Sequence, residues 1–348
     1  MPGSAASKKQ PTSPSVKPAI AVTIGDAAGI GPEIIVKSLD QWDYHRHCLP
    51  LVIGPAALLD KWARRLKSRI RFEAIYSFNC WKKPSTRTVY CYFPERFPDS
   101  IETGRIDVNL SRLAVRAVEI AAGLALKKLV AAIVTAPINK AGVQMAGFDI
   151  PGHTEYLAAL SSTRQYEMML VGGPLRVVPV TRHIAIKDVP HKITAKRLLD
   201  AMRLVDTQMR QLFGIAHPRM AVSALNPHAG EQGKMGDEEI RIIEPAIRRA
   251  RTLTKSVITG PVSPDALFRQ AYHGLYDVVL CMYHDQGLIP LKMIARDSGV
   301  NVTLGLPFVR TSPDHGTGYD IAGKAIAHPG SMIEALKLAV ELSQNSRR

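Results

Sequence analysis

Cysteine and aromatic residues are scarce in this sequence of 348 residues, and long apolar runs are missing. The four cysteines show no CxxC spacing and no dense disulfide framework, which predicts a reducing compartment, the cytoplasm. No stretch approaches the length of a transmembrane span. Residues 1–17 lack the apolar segment of a secretory signal, and their Ser, Pro and Lys content predicts a disordered leader.

Acidic residues are also few. The chain has 45 Lys and Arg but only 30 Asp and Glu, which gives a net charge of +15. Such an excess favours an anionic partner, either nucleic acid or a phosphorylated small molecule. A nucleic-acid surface usually interleaves basic residues with stacking aromatics. Here aromatics make up 6% and the basic residues are spread along the chain. We therefore expect a phosphorylated small molecule as partner, with no nucleic acid and no membrane.

Short apolar runs alternate with helical patterns, which is typical of an α/β fold with a mostly parallel sheet. The pattern leaves residues 51–94 as irregular α/β structure. Strands are predicted at residues 19–24, 129–136, 168–171, 175–180, 220–225, 256–259 and 277–282. Helices are predicted at residues 111–129, 195–213, 237–253 and 331–342.

A glycine-rich loop, GDAAGIG from Gly25 to Gly31, stands between the first strand and Pro32, which suits the start of a helix. Such a loop can offer backbone N–H groups to an anion. It lacks the GK[ST] of a nucleotide P-loop and the GxGxxG of a dinucleotide fold. An anion-binding loop and a simple tight turn both remain open.

Three histidines each follow a predicted strand at its carboxyl end: His183, His228 and His284. Ligands bind at that edge in open α/β sheets. Gathered there, the three imidazoles would supply the protein ligands of an open divalent-metal site. Their large separation in sequence leaves open that they are unrelated loop histidines. No HExxH helix is present, which argues against a zincin peptidase.

A second set of polar residues has side chains of the kinds that bind an anion. Lys292, Asn301 and Arg310 lie in the same run as His284. Arg binds phosphate or carboxylate bidentately, Lys acts as a point charge, and Asn orients without charge. A lone Lys or Arg is usually a solvated loop charge, but the grouping favours a site. The pair His153–Thr154 could also meet a phosphate. His315 is predicted to lie in a loop rather than at a strand end.

Six blocks of the sequence resemble the motifs of the 4-hydroxythreonine-4-phosphate dehydrogenase family. They occur in chain order, and the resemblance covers essentially everything after Lys17. The blocks are GDAAGIGPE at 25–33, TAPINK at 135–140, PGHTE at 151–155, NPHAGE at 226–231, YHDQ at 283–286 and GVNVTLGLP at 299–307.

The resemblance implies a two-lobed fold of the isocitrate and isopropylmalate dehydrogenase type, with a cleft between the lobes. It implies a first lobe of residues 18–140 plus 300–348 on the cofactor side. The second lobe, residues 141–299, would be the metal and dimer side, and a homodimer would share each active site between subunits. The family's metal ligands fall on His183, His228 and His284, for one Zn, Mg or Co ion. Its substrate contacts fall on His153, Thr154, Lys292, Asn301 and Arg310.

The block from His315 to Gly323 is similar to the adenosine-binding loop of isopropylmalate dehydrogenases. In that group an Asp-Ile pair, here Asp320 and Ile321, goes with NAD. A carboxylate accepts hydrogen bonds from the ribose 2′-hydroxyl and repels a 2′-phosphate. The resemblance therefore implies NAD rather than NADP, bound by His315, Gly316, Asp320 and Ile321.

The implied reaction is oxidation of 4-phosphohydroxy-L-threonine at its C3 hydroxyl, then decarboxylation to 3-amino-2-oxopropyl phosphate, a step of pyridoxal phosphate biosynthesis. Asp285 and Asp26 are the candidate bases, and the sequence does not choose between them. One departure matters: Ala27 stands where the biosynthetic family usually has Pro. The Ala form is common in a sister group resembling phosphothreonate and phosphoerythronate dehydrogenases, which is the alternative function.

Overall fold

A mixed sheet of 12 strands organises the chain. The structure is a computed structural model that describes residues 17–77 and 86–346. The strands are β1 (Ala19–Thr23), β2 (Leu49–Ile53), β3 (Arg71–Ala74), β4 (Thr88–Tyr92), β5 (Ala132–Thr135), β6 (Glu167–Gly172), β7 (Leu175–Pro179), β8 (Arg219–Ser223), β9 (Val257–Val262), β10 (Val278–Cys281), β11 (Val300–Leu304) and β12 (Val309–Pro313).

Helices cover both faces of this sheet, as expected when parallel strands are joined by helical crossovers. The α-helices are α1 (Gly31–Gln41), α2 (Tyr44–His47), α3 (Ala56–Arg65), α4 (Val108–Leu126), α5 (Lys140–Met145), α6 (His153–Leu160), α7 (Val189–Lys192), α8 (Ala195–Gln211), α9 (Glu244–Arg251), α10 (Pro264–Tyr272), α11 (His284–Ile294) and α12 (Gly330–Asn345). A single π-helical turn, Glu239–Ile243, runs directly into α9.

The sheet consists of two parallel blocks that run in opposite directions. Its order is β3-β4-β2-β1-β5-β12-β11-β6-β7-β10-β8-β9. The pairings from β3 to β12 are parallel, and so are those from β7 to β9. Between the blocks, β12–β11, β11–β6 and β6–β7 are antiparallel. The carboxyl ends of β7, β10 and β8 therefore share one edge.

Local sequence explains how these elements form. The central strands are continuous apolar runs because both of their faces are covered, and Ile20, Ala21 and Val22 are fully buried. Helix α4 begins after Asp107, whose side chain accepts hydrogen bonds from two backbone N–H groups of the first turn. Thr194 caps α8 in the same way through the N–H of Arg197, at 3.1 Å.

All seven predicted strands and the four predicted helices are confirmed within a few residues at their ends. His315 lies in a loop, as predicted, and this loop begins directly after β12, which ends at Pro313. Strands β11 and β12 were not predicted, because polar residues such as Asn301, Arg310 and Ser312 interrupt their apolar pattern. Residues 51–94 contain regular β2, α3, β3 and β4.

The strand order agrees with the chain segments expected for two lobes, although that division stays a prediction. Strands β1–β5, β11 and β12 lie together at one side of the sheet, and β6–β10 lie together at the other. Cys48, Cys91 and Cys281 are buried free thiols, whereas Cys80 and residues 1–16 lie outside the described residues. In the described ranges, no helix has the length and apolarity needed to cross a bilayer.

Candidate active site

A cavity of 360 Å³ lies where the two parallel blocks meet, bordered by β5, β12, β11 and β6 and by the loops after β7 and β10. It collects nine of the predicted site residues: His153, Thr154, His183, His284, Lys292, Asn301, Arg310, His315 and Gly316. A larger cavity of 940 Å³, between the ends of α4, α8 and α12, contains no predicted site residue. The predicted site residues are therefore concentrated in the smaller cavity.

Arg310 is the most deeply buried charge of the cavity, with 2% of its surface exposed. Its guanidinium donates to Thr135 Oγ1 at 2.7 Å and to Thr303 Oγ1 at 3.1 Å, both neutral acceptors. Among the described residues, no carboxylate lies within ion-pairing distance of it. Burial lowers the pKa of Arg310 to about 10. A buried guanidinium held this way is poised for an anion, because burying an uncompensated charge is costly.

Three buried polar atoms of the cavity have no hydrogen-bond partner, namely His153 Nε2, Asn301 Oδ1 and Arg182 Nη1. His153 is the first residue of α6, and burial, then the positive charges of Arg310 and Lys140, hold its pKa well below 6.5. Unsatisfied buried polar atoms are rare in native proteins and often mark the place of a ligand or water. Thr154 Oγ1 lies 3.3 Å from Thr303 Oγ1, beside the guanidinium.

Lys292 lines the same cavity from α11. Its ammonium lies 3.6 Å from Asp314 Oδ2, and more than half of the lysine side chain is exposed. Burial raises the pKa of Asp314, which the neighbouring ammonium partly offsets. Lys292 is therefore a mobile point charge that can turn from Asp314 to an incoming anion.

His183 and His284 form a pair that lines the same cavity, with ring centroids 5.7 Å apart. Burial, followed by the charge of Lys140, lowers the pKa of His183 and favours the neutral imidazole that a metal requires. Nδ1 of His284 lies 2.7 Å from Asp285 Oδ1, which leaves Nε2 free. A carboxylate behind an imidazole is the usual support of a metal-binding histidine. These two imidazoles fit a divalent ion, although a typical open site has three protein ligands.

His228 does not line this cavity, and no group of three potential metal ligands is assembled within the described residues. It lies exposed in a turn where five consecutive residues, 228–232, have φ between 44° and 76°. The buried carboxylate of Glu239 holds the start of this turn by accepting from the N–H groups of Leu225 and Asn226, both at 2.8 Å. Within the described residues of one chain, the turn therefore does not bring His228 together with His183 and His284 as one metal site.

Asp26 also lies apart from the cavity, buried with 1% of its surface exposed. One oxygen accepts from the N–H of Ala28 at 2.9 Å, and the other accepts from the hydroxyl of Tyr319. Burial raises the pKa of this carboxyl group. These contacts give Asp26 a structural role, and they weaken the prediction that it is a base.

The glycine loop of residues 25–31 is a tight turn that hydrogen-bonds to the C-terminal loop, residues 315–321. Gly25 has a φ of 68°, and a Cβ there would approach the carbonyl oxygen of Pro137 to 2.6 Å. The N–H of Ile30 donates to the carbonyl oxygen of Thr317 at 2.9 Å. Several amides of the loop are thus used inside the protein, so the alternative of an anion-binding loop loses support. In the loop beyond, Asp320 is exposed and makes no ion pair among the described residues, while Ile321 is half-buried.

Sequence reasoning missed several lining residues: Thr135, Lys140, Glu155, Arg182 and Asp314. Each stands within or beside a block that was singled out, such as TAPINK, PGHTE or the strand end before His183. Proximity in sequence to a chosen motif was the available signal. Asp285, the remaining candidate base, has an exposed side chain and touches the cavity only through His284.

The comparisons with known proteins agree with this architecture. The family described as "Pyridoxal phosphate biosynthetic protein PdxA" matches residues 46–339. A 4-hydroxythreonine-4-phosphate dehydrogenase from Desulfosudis oleivorans is 42% identical over 326 residues, which are 93% of this chain and 96% of that protein. A D-threonate 4-phosphate dehydrogenase from Salmonella typhimurium is also 42% identical, over 93% of this chain and 98% of that protein.

The fold is shared with solved structures as well. The crystal structure of a 4-hydroxythreonine-4-phosphate dehydrogenase from Klebsiella pneumoniae superposes with a TM-score of 0.84 at 39% identity, covering 94% of this chain and all of that one. The predicted family is thereby confirmed, and the α/β fold with it. This chain belongs to the PdxA family.

Proposed function

We propose that this chain is an NAD-dependent and metal-dependent dehydrogenase. It oxidises 4-phosphohydroxy-L-threonine at C3, and decarboxylation then gives 3-amino-2-oxopropyl phosphate. One observation carries the proposal. The buried Arg310, which has no carboxylate partner among the described residues, faces the same cavity as the His183–His284 pair. A phosphate-binding group and two proposed metal ligands therefore line one cavity. A phosphorylated hydroxy acid needs the first for its phosphate and the second for its hydroxyl group.

The phosphate binds at the Arg310 end of the cavity. The guanidinium is held by Thr135 and Thr303, so little side-chain freedom is lost on binding. Lys292 adds a second positive charge, and Asn301 and the His153–Thr154 pair supply uncharged hydrogen-bonding groups. This arrangement offers the anion two positive charges and several hydrogen-bonding groups, and charge-assisted bonds are the stronger kind.

The C3 hydroxyl is placed at the histidine end. A bound divalent ion there would act as a Lewis acid on the hydroxyl, and bound NAD would accept the hydride. His183 and His284 would hold that ion, with the carboxylate of Asp285 orienting the His284 ring. We assign the third position to His228 of the partner subunit in a homodimer, since His228 is exposed and remote from this cavity in its own chain.

Asp285 is the better of the two candidate bases. Its side chain is 70% exposed and its Oδ2 makes no hydrogen bond among the described residues, so it can receive a proton beside His284. Both oxygens of Asp26 are already engaged. The C-terminal loop from His315 to Ile321 is the proposed cofactor contact, with the exposed Asp320 selecting NAD through the ribose 2′-hydroxyl.

A second substrate has specific support. The relatives named D-threonate 4-phosphate dehydrogenase are as similar to this chain, at 42% identity, as the biosynthetic ones. Ala27 in the glycine loop points the same way. The two substrates share the phosphate, the carboxylate and the C3 hydroxyl, and they differ at C2, where one has an ammonium group and the other a hydroxyl.

Steady-state kinetics with purified protein decide between them. NADH formation from 4-phosphohydroxy-L-threonine should exceed that from D-threonate 4-phosphate in kcat/KM. The reverse order would make the sugar-acid phosphate the substrate. Turnover of neither compound, with metal-loaded protein and NAD, would contradict the proposed function.

A further inference from the structure

The substrate proposed above carries two anions, a phosphate and a carboxylate, and the residues assigned so far account for only the first. Four cationic side chains line the cavity: Lys140, Arg182, Lys292 and Arg310. Lys292 and Arg310 are assigned to the phosphate. The other two have no assigned partner; Arg182 directly precedes His183, and the charge of Lys140 acts on His183.

Arg182 carries the clearest sign of a missing ligand. Its Nη1 is buried and has no hydrogen-bond partner. The guanidinium stacks over the ring of Tyr166, with its carbon 5.5 Å from the ring centroid, so the plane of the group is held by an uncharged neighbour. A buried guanidinium nitrogen without an acceptor is costly, and a planar carboxylate is the acceptor that matches its geometry.

The backbone before Arg182 is rigid. Thr181 donates to the carbonyl oxygen of Met282 twice, through its N–H at 3.2 Å and through its hydroxyl at 2.7 Å. This fixes the end of β7 against the end of β10, which carry His183 and His284. Arg182 therefore follows a residue that is fixed against β10, and it directly precedes His183.

Lys140 provides a second cation nearby. It begins α5 after Asn139, whose side chain caps the helix through the N–H of Gly142 at 2.8 Å. Its charge acts on both His153 and His183. Glu155 also lines this region and acts on His183 with the opposite sign, yet no ion pair joins it to Lys140 or Arg182 within the described ranges.

We propose that Arg182, with Lys140 beside it, forms the subsite for the carboxylate of the substrate. This assignment rests on the proposed function, and it adds direction to it. In both candidate substrates, C3 lies between the carboxylate and the phosphate. Binding the phosphate at Arg310 and the carboxylate at Arg182 would fix the direction of the substrate and place C3 between the two arginines, in the cavity that the histidine pair also lines.

Two ligands that differ only in the carboxylate test this subsite: 4-phosphohydroxy-L-threonine and 3-amino-2-hydroxypropyl phosphate. Binding is measured by calorimetry on metal-loaded protein without NAD, so that no turnover occurs. Arg182→Gln should weaken the carboxylate-bearing ligand about 10- to 100-fold, as expected for losing a charge-assisted hydrogen bond. It should change the affinity of the other ligand by less than about threefold.

Three variants complete the design. Arg310→Gln should weaken both ligands, because both keep the phosphate. Arg203→Gln, an exposed arginine on α8 that does not line the cavity, should weaken neither. Arg182→Lys keeps the charge without the planar fork and should recover part of the lost affinity.

Equal weakening of both ligands by Arg182→Gln, or no weakening of either, would overturn the carboxylate subsite. Wild-type turnover is measured in parallel to separate this failure from a wider one. If the wild-type protein turns over substrate, equal losses refute only the subsite. If it neither binds nor turns over either candidate substrate, the proposed function is refuted and the subsite with it.

Discussion

The pocket around Arg310 and the turn around His228 are built in opposite ways. The pocket is buried, its guanidinium is held by threonine hydroxyls, and its binding groups come together within one chain. The turn is exposed, its backbone is in an unfavourable conformation, and its histidine is separated from the two that it should join. The groups that would bind an anion therefore come from one chain, whereas we propose that the metal ligands come from two.

The conformation of the turn supports this interpretation. Four residues other than glycine have positive φ in succession with Gly230, and each such residue costs about 1–2 kcal/mol. Strain of this kind persists only where the surrounding structure enforces it, and it clusters at functional sites. Glu239, on a π-helical turn, supplies the enforcement.

The largest effect is expected at the pocket. Arg310→Ala should raise the substrate KM by about 100-fold or more, because it removes a buried charge-assisted partner of the phosphate. Zinc or cobalt content, measured by mass spectrometry on the purified variant, should stay at the wild-type level. A parallel loss of metal would show that the two regions are not separate.

The converse change is His228→Ala. Loss of one of three protein ligands should weaken metal binding by about 100-fold, at least as much as the loss of a residue that only supports a ligand. Metal affinity measured by competition with a chelator checks this. Binding of inorganic phosphate should be unaffected, because the pocket lies elsewhere in the same chain. Unchanged metal affinity would remove His228 from the site.

A smaller effect should follow from loosening the turn while leaving its histidine in place. Glu239→Ala removes the acceptor for two backbone N–H groups and should cost about 2–4 kcal/mol of unfolding free energy. Metal affinity should fall with it, although by less than in His228→Ala.

Asp206→Ala is the matched control for Glu239→Ala. Asp206 is a buried carboxylate on α8 that accepts from Ser256 Oγ at 2.8 Å, and α8 contains no histidine. This control should lower the melting temperature and leave metal affinity unchanged. If both variants lose metal equally, the Glu239 effect is general destabilisation.

The smallest effect concerns pH. Burial and nearby positive charges hold the pKa of His153 well below its usual 6.5. Below pH 6.5, His153 is therefore protonated in the unfolded chain but stays neutral in the folded chain. Stability should therefore fall as pH drops from 6.5, by up to about 1.4 kcal/mol per pH unit from this group. His153→Gln should reduce that slope in denaturant titrations. An identical slope in wild type and variant would contradict the buried, neutral state of His153.

Much of this could be predicted from the sequence, and the exceptions have physical causes. Buried parallel strands such as β1 and β10 are continuous apolar runs, so they stood out. Strands β11 and β12 did not, because Asn301, Arg310 and Ser312 interrupt the apolar pattern where they face the cavity or its walls. Residue types at strand ends also identified His183 and His284 correctly as neighbours.

The displacement of His228 could not be seen in the sequence. Its position after β8 predicts the same edge as His284, and β8 does pair with β10. What moves it away is the left-handed turn, which depends on Glu239 more than ten positions further along the chain. Arg182 was missed for a related reason, because an arginine beside a histidine is usually a solvated charge, and only burial of Nη1 shows otherwise.

The central claim, a site shared between two chains, is tested most directly by mixing two inactive variants. Arg310→Ala and His228→Ala protein are combined, dissociated and reassociated, and NADH formation is measured. In a mixed dimer, one site joins the intact pocket of one chain to the intact His228 of the other. Random reassociation should restore about a quarter of wild-type activity. No recovery, with mixed dimers shown to form, would contradict the shared site.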